Sequence, residues 1–181
     1  PPFFTATQMA HAVQASGADT LLVEAPLAAQ WPDLHWTTTA LAGRALMQAR
    51  IDSAPVALPR ATAKITLTSG TTGAPKGVCL SGRAMQAVAD GLLQALAPLG
   101  IERHLNALPF SVLLENIAGL MAPRLQGATL LTLPLRQLGL TGSSAFDGAR
   151  FDVAVQVLRP HSLILLPQML RRLQDGMERV G

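Results

Sequence analysis

A ten-residue segment rich in glycine and hydroxyl side chains is the part of this sequence best suited to chemistry. Residues 68–77 read Thr-Ser-Gly-Thr-Thr-Gly-Ala-Pro-Lys-Gly. Glycines allow positive φ and let backbone N–H groups approach an anion. Hydroxyl donors for phosphate oxygens are carried by Thr68, Ser69, Thr71 and Thr72. Because Lys76 adds a positive charge, the segment predicts a polyphosphate-binding loop.

Two common phosphate-binding loops do not match this segment. A Walker A loop needs a hydroxyl residue directly after its lysine, whereas Gly77 follows Lys76 here. The Gly-x-Gly-x-x-Gly spacing of dinucleotide-binding folds is also absent. A P-loop ATPase or kinase is therefore disfavoured. A flexible linker would not require a proline and a lysine in this order.

The elements that must position the loop are predicted from periodicity. Alternation of apolar and polar residues over 63–68 predicts a strand that runs into the loop. Ser81 is a suitable N-cap for a helix up to Pro98. The helix has apolar residues at helical spacing, namely Met85, Val88, Ala89, Leu92, Leu93 and Leu96. We expect the N-terminus of this helix to add partial positive charge near the loop.

The rest of the chain alternates between helices and strands. Thr5 and Gln8 predict a capping box for a helix that stops at Gly17. Helices are predicted over residues 6–16, 39–49, 115–126, 152–158 with Asp152 as N-cap, and 168–179. Strands are predicted over residues 20–24, 105–108, 128–133 and 163–166, and residues 135–148 read as a loop. This order predicts one α/β domain over 1–181, with a mainly parallel sheet and helices on both faces.

Composition narrows the class of protein. The 181 residues are 49% hydrophobic and 14% charged, which excludes a disordered chain and suggests surfaces that another part of the protein covers. The net charge of +3 comes without a basic run, so no nucleic-acid partner is expected. Cys79 is the single cysteine, and the histidines lack metal-like spacing. No apolar run reaches the roughly 18 residues of a membrane span, so we expect a cytoplasmic protein.

Residues 68–77 resemble the phosphate-binding signature of the AMP-forming adenylating enzymes, which include acyl-CoA synthetases, firefly luciferase and the adenylation domains of peptide synthetases. The segment matches at every position that the family fixes. The resemblance implies ATP phosphate contacts at Thr68, Ser69, Gly70, Thr71, Thr72, Gly73 and Lys76, with the lysine pairing with the departing pyrophosphate. It also implies ATP, Mg²⁺ and coenzyme A, although this chain offers no identified Mg²⁺ ligand.

A second segment, Leu108 to Glu115, is similar to the Leu-Pro-Leu-x-His-x-x-Glu segment of fatty acyl-CoA ligases. Val112 stands where that family has a histidine that lines the acyl pocket. The resemblance implies a fatty acid substrate, with Val112 and Glu115 in or beside a more apolar acyl pocket. Val112 is equally explained as a packing residue, and Glu115 as a carboxylate in the first turn of a helix. Aryl acids and amino acids remain open as substrates.

The resemblance implies an acid–thiol ligase of fatty acid metabolism. A carboxylate attacks the α-phosphate of ATP to give acyl-AMP and pyrophosphate, and the acyl group then passes to coenzyme A. The family's later motifs, including its C-terminal catalytic lysine, have no counterpart here. We therefore expect part of a longer enzyme, inactive without its remainder, and bacterial because 12 of the 14 basic residues are arginine. The alternative is a nucleotide-binding scaffold of the same fold that has lost catalysis.

Overall fold

The computed structural model describes residues 5–68, 76–141 and 145–178. These residues are mixed α/β, as the sequence predicts. They divide into two units, one within Phe4–Cys79 and one within Leu80–Gly181. That residues 1–181 make one domain stays a prediction.

The first unit begins with the helix that the sequence predicts. Its elements are α1 (Ala6–Ser16), β1 (Thr20–Val23), α2 (Ala25–Ala28), β2 (Thr37–Leu41), β3 (Arg44–Arg50), β4 (Thr62–Thr68) and the start of β5 (Lys76–Ser81). Thr5 and Gln8 form both hydrogen bonds of the predicted capping box. Gly17 ends α1 with a φ of 63°, a left-handed conformation that glycine adopts without steric cost. Both ends of this helix are therefore set by local side-chain and backbone chemistry.

The predicted helix over residues 39–49 is wrong, because this region is a β-hairpin. Strands β2 and β3 pair antiparallel, with Leu41 opposite Arg44, and β3 also pairs antiparallel with β1. The turn residues Ala42 and Gly43 have φ values of 49° and 79°. Two positive φ values are what a two-residue type I′ turn requires. Helix propensity of the Ala, Leu, Met and Gln residues in β3 is a weak preference, and strand pairing overrides it.

The second unit contains the parallel sheet. Its elements are α3 (Gly82–Leu96), β6 (Arg103–Asn106), a wide helix (Glu115–Met121), α4 (Ala122–Leu125), β7 (Thr129–Thr132), β8 (Leu140–Thr141), β9 (Ala145–Phe146), α5 (Gly148–Leu158), β10 (Ser162–Leu163) and α6 (Pro167–Glu178). Strands are ordered β10-β6-β7, and both pairs are parallel. The predicted parallel arrangement is thus confirmed for these three strands.

Helices cover both faces of this sheet. On one face, Leu105 of β6 lies beside Leu131 and Leu163 in the strand register. These leucines pack with buried Phe151 of α5 and Met169 of α6. Successive side chains of a strand point to opposite faces, so Asn106 faces the other layer, where the wide helix lies. The predicted layer arrangement is found in this unit.

The wide helix continues into α4, so the predicted helix over 115–126 is confirmed as helical. Its turns are broader than those of an α-helix, as the Ala122 N–H bond to the Ile117 carbonyl five residues earlier demonstrates. Ala89 of α3 packs against Ile117 and Ala122 in a small core. This core attaches α3 to the wide helix.

Two details of residues 135–158 differ from the sequence-based expectations. The predicted loop contains an antiparallel pair of short strands, β8 and β9. Helix α5 begins at Gly148, and its N-cap is Asp147, whose carboxylate accepts the Arg150 N–H at 3.2 Å. Asp152 lies inside the helix and accepts a hydrogen bond from Gln156 at 2.6 Å. Asp147 caps because it is the residue with extended backbone geometry before the first turn.

Within the part of the chain that the structure describes, no helix combines the length and apolar character that a membrane crossing requires.

The hairpin turn gives a stability test. Ala42→Asn should raise the free energy of unfolding by about 0.5–1 kcal/mol, because asparagine tolerates the left-handed conformation better than alanine. Urea denaturation measures the change. Ala45→Asn is the control, since Ala45 is an exposed residue of the neighbouring strand with no positive φ. Equal destabilisation by both substitutions would contradict the turn geometry.

Candidate functional site

Strands β4 and β5 flank the predicted phosphate loop and pair with each other. Thr68 is the last residue of β4, and Lys76 is the first residue of β5. The loop contacts predicted at Ser69, Gly70, Thr71, Thr72 and Gly73 lie outside the described residues and stay predictions. The two described ends enter and leave the loop from neighbouring strands.

A strand that the sequence did not predict, β5, follows the loop. Four of its residues, Val78–Ser81, come between residues 68–77 and the first residue of α3. Ser81 is the N-cap of α3, as predicted, and accepts the Ala84 N–H at 3.1 Å. The chain therefore leaves the loop through a strand. The expected contribution of partial positive charge by the N-terminus of α3 near the loop stays a prediction.

Gly77 has a packing role. Its φ lies outside the left-handed region, and a Cβ at this position would lie 3.0 Å from Ile65 Cγ2 on β4. A side chain here would crowd Ile65, which would have to shift. The expectation that this glycine serves positive φ is thus replaced by a steric reason, while Lys76 beside it is exposed.

A buried polar cluster lies at the carboxyl end of the central strand β6. Glu115 is fully buried, and its Oε1 accepts a hydrogen bond from Asn106 Nδ2 at 2.9 Å. The same Nδ2 donates to the Gly119 carbonyl at 2.6 Å. A Cβ at Gly119 would lie 2.8 Å from Glu115 Cδ. Only glycine leaves room for the cluster at this position.

Burial dominates the electrostatics of this cluster. It raises the pKa of Glu115, while interactions with the Asn106 side chain and the backbone of Leu108 and Ala107 oppose that rise. Burial also lowers the pKa of His104, which lies two residues before Asn106 and on the same face of β6. His104 Nδ1 lies 2.8 Å from Ser162 Oγ, which holds the ring against β10. Both shifts favour uncharged side chains.

An apolar groove of about 380 Å³ lies between α3 and the segment that enters the wide helix. It is lined by Leu80, Ala84, Met85, Val88, Leu92, Leu113, Leu114, Ile117 and Ala118. No charged side chain is among these residues. Val112 comes directly before Leu113 of this lining, and its side chain is 37% exposed. Glu115 is instead fully buried against Asn106, so the two predicted acyl-pocket residues lie in different surroundings.

Asn106 and Gly119 were not predicted as neighbours of Glu115. The sequence marks Asn106 only as the polar last residue of a short strand, and Gly119 only as a glycine four residues after Glu115. Their association requires the sheet and the wide helix to be packed together. In residues 5–68, 76–141 and 145–178, no group of three His, Cys, Asp or Glu side chains could hold a metal ion.

The family comparison agrees with the loop sequence. The model of the AMP-binding enzyme family matches residues 1–180. Two solved structures of o-succinylbenzoate-CoA synthetase (MenE) from Bacillus subtilis are similar to this chain, one in complex with the acyl-adenylate intermediate OSB-AMP and one with AMP. A search of curated proteins found no match.

The structural matches are partial. Both synthetase structures are 24% identical in sequence and have a TM-score of 0.47. The matches cover 64% and 65% of this chain, and 27% and 28% of the two synthetase chains. The chain thus spans less than a third of the length of these structures.

Gly119→Ala tests the buried cluster. The added Cβ would collide with the Glu115 carboxyl carbon, so we expect a loss of about 1–3 kcal/mol in the free energy of unfolding. The control Gly91→Ala lies in the exposed middle of α3 with nothing within 4 Å of the new Cβ. That control should gain about 0.5–1 kcal/mol. Urea denaturation of both variants measures the difference, and similar gains in both would contradict the cluster geometry.

Proposed function

Because the chain belongs to the AMP-binding enzyme family, we propose that it is the phosphate-binding part of an AMP-forming acid–thiol ligase. The observation that carries this proposal is the family match over 1–180, together with Lys76 at the start of β5, the strand that follows the predicted loop and pairs with β4. The reaction joins a carboxylate to ATP, giving acyl-AMP and pyrophosphate. The acyl group then passes to a thiol, for which we propose coenzyme A.

The difficulty of the first step is electrostatic. A carboxylate must approach a polyphosphate, and negative charge then accumulates on the departing pyrophosphate. Groups that are already aimed at that charge lower the barrier, because they need no reorganisation during the reaction. Lys76, at the exposed start of β5, supplies such a charge. The loop residues Thr68 to Gly73 supply hydroxyl and backbone N–H donors in this proposal.

Mg²⁺ is the usual counterion of ATP phosphates. The described residues offer no carboxylate cluster that fits this ion. The proposed role of this chain is accordingly limited to its lysine, hydroxyl and backbone N–H donors.

We further propose that the substrate is a carboxylic acid with an apolar tail, with fatty acids preferred over aryl acids. The groove between α3 and the wide helix supports this, since its lining is apolar and its volume of about 380 Å³ lies within the range of small-molecule sites. Val112 next to the lining is apolar where the resembling ligases carry a histidine. The surface of an acyl tail in this groove would be removed from water. Because a longer tail buries more apolar surface, this favours binding of longer apolar acids.

Lys76→Ala in the full-length protein tests the phosphate role. Loss of the lysine should reduce carboxylate-dependent ATP–pyrophosphate exchange about a hundredfold, the scale observed when one transition-state donor is removed. The control is Lys64→Ala, since Lys64 is the other lysine of the chain and lies within β4. Unchanged exchange in Lys76→Ala would refute the role. ATP binding by the wild type without any exchange would favour the scaffold alternative.

Val88→Trp tests the acyl groove. Val88 is 53% exposed on the groove wall, so tryptophan can fill the groove without disturbing the core. We expect the chain-length preference in exchange assays over saturated fatty acids to move toward shorter acids. Val153→Trp is the matched control, because Val153 is 61% exposed on α5 in a different groove. The same chain-length profile in both variants and the wild type would contradict the proposed acyl site.

A further inference from the structure

The Asn106–Glu115 pair leaves two buried oxygens unexplained. The amide nitrogen of Asn106 donates to Glu115 Oε1 and to the Gly119 carbonyl. Glu115 Oε2 and Asn106 Oδ1 are buried and have no hydrogen-bond partner among the described residues. If Glu115 were ionised, Asn106 Oδ1 would be an acceptor without a donor, and besides Asn106 the carboxylate would have only the backbone N–H groups of Ala107 and Leu108 as donors. Leaving buried polar atoms unpaired is costly.

Protonation of one oxygen removes this mismatch. A carboxylic acid carries a donor and an acceptor side by side, and a carboxamide does the same in reverse. The observed hydrogen bond from Asn106 Nδ2 to Glu115 Oε1 is one of the two bonds of such a reciprocal pair. The two atoms left over are Oε2 and Oδ1, one on each side chain. A proton on Oε2 would give both of them a partner in such a pair.

We infer that Glu115 is a neutral carboxylic acid in the folded protein at neutral pH, and that its Oε2–H donates to Asn106 Oδ1. The reciprocal pair makes Glu115 a positioning residue. It ties the first turn of the wide helix to the end of β6. Leu113 and Leu114 directly precede this turn, and Ile117 and Ala118 lie within it. The pair therefore holds one wall of the apolar groove against the sheet, a role that rests on the proposed acyl site.

The described side chains give Glu115 no ionic partner. In the core beside the same helix, Ile117 packs with Met85, Ala89 and Leu92 of α3 and with Ala122 of α4. On β6, His104 faces the same layer, and burial lowers its pKa toward the neutral ring. No ion pair of the described residues includes Glu115. Burial raises the pKa of Glu115, and the opposing groups are the Asn106 side chain and the backbone of Leu108 and Ala107.

Infrared difference spectroscopy of the full-length protein tests the protonation state directly. The wild type minus Glu115→Gln should contain the C=O stretch of a protonated carboxylic acid at pH 7. A carboxylate band in its place would mean that the backbone near Leu108 and Ala107 holds Glu115 ionised, and would overturn the inference. Labelling glutamate with ¹³C in the wild type identifies the band even if the variant folds poorly.

Stability against pH provides an independent readout. The folded-state pKa of Glu115 lies above its unfolded value near 4.5, so its stabilisation is complete below that pH and is lost as pH rises through the folded-state pKa. Glu115→Gln cannot titrate, yet its amide can keep both bonds to Asn106. The free energy of unfolding of the wild type minus that of Glu115→Gln should therefore fall as pH rises above about 4.5. A difference that rises with pH would overturn the inference.

Kinetics separate positioning from general stability. Glu115→Gln should keep the KM for the acid, whereas Glu115→Ala should raise it about tenfold with the KM for ATP unchanged. Equal acid KM values for the Gln and Ala variants would overturn the positioning role. If the wild type has no adenylating activity, the proposed function fails by itself. The infrared and pH results still decide the protonation of Glu115 in that case.

Discussion

Strand β6 is the element on which the second unit depends, because its two faces must satisfy two different layers. Leu105 is completely buried among the apolar side chains of α5 and α6. The next residue, Asn106, points to the other face and bonds to the wide helix. Alternation of side chains along a strand makes both contacts obligatory once either one forms. A shift of one residue in this strand would place an amide in the apolar core and a leucine against the Glu115 carboxyl.

The polar contact has a different physical character from the apolar one. Packing of Leu105 with Phe151 and Met169 tolerates small adjustments, because dispersion forces have no strong direction. The Asn106–Glu115–Gly119 cluster requires hydrogen bonds with defined directions, and the lack of a side chain at Gly119 is what permits the approach. Misplacement of the wide helix would leave a carboxyl and an amide buried without partners. This polar contact therefore restricts the helix to one position.

The two regions proposed for chemistry have different structural supports. The phosphate loop is placed by a pair of strands, and Gly77 allows those strands to approach closely. The apolar groove is placed by α3 and the wide helix, which share the core of Ala89, Ile117 and Ala122. A charged leaving group needs donors on a backbone that can approach it closely, whereas an apolar tail needs a surface shielded from water. Each support suits the ligand proposed for it.

The sequence by itself determined the features that arise from neighbouring residues. These are the capping box at Thr5, the stop at Gly17, the N-cap at Ser81 and the ten-residue segment whose resemblance predicted the family that matches residues 1–180. Such features depend on bonds within a few residues, so a local pattern is sufficient to predict them. The alternation of strand and helix in residues 82–178 likewise predicted the parallel sheet and its two helical layers.

Only the tertiary structure decided the remainder. Residues 39–49 have good helix propensity, but antiparallel pairing of β2 with β3, and of β3 with β1, makes them part of a hairpin. The sequence did not predict strand β5 after the loop, because this strand forms by pairing with β4. Glu115 is a carboxylate in the first turn of a helix, one of the two roles that the sequence offered, but its close neighbours lie nine residues earlier and four residues later in the chain. Burial and hydrogen-bond partners across elements are properties of packing, and no local pattern in the sequence encodes them.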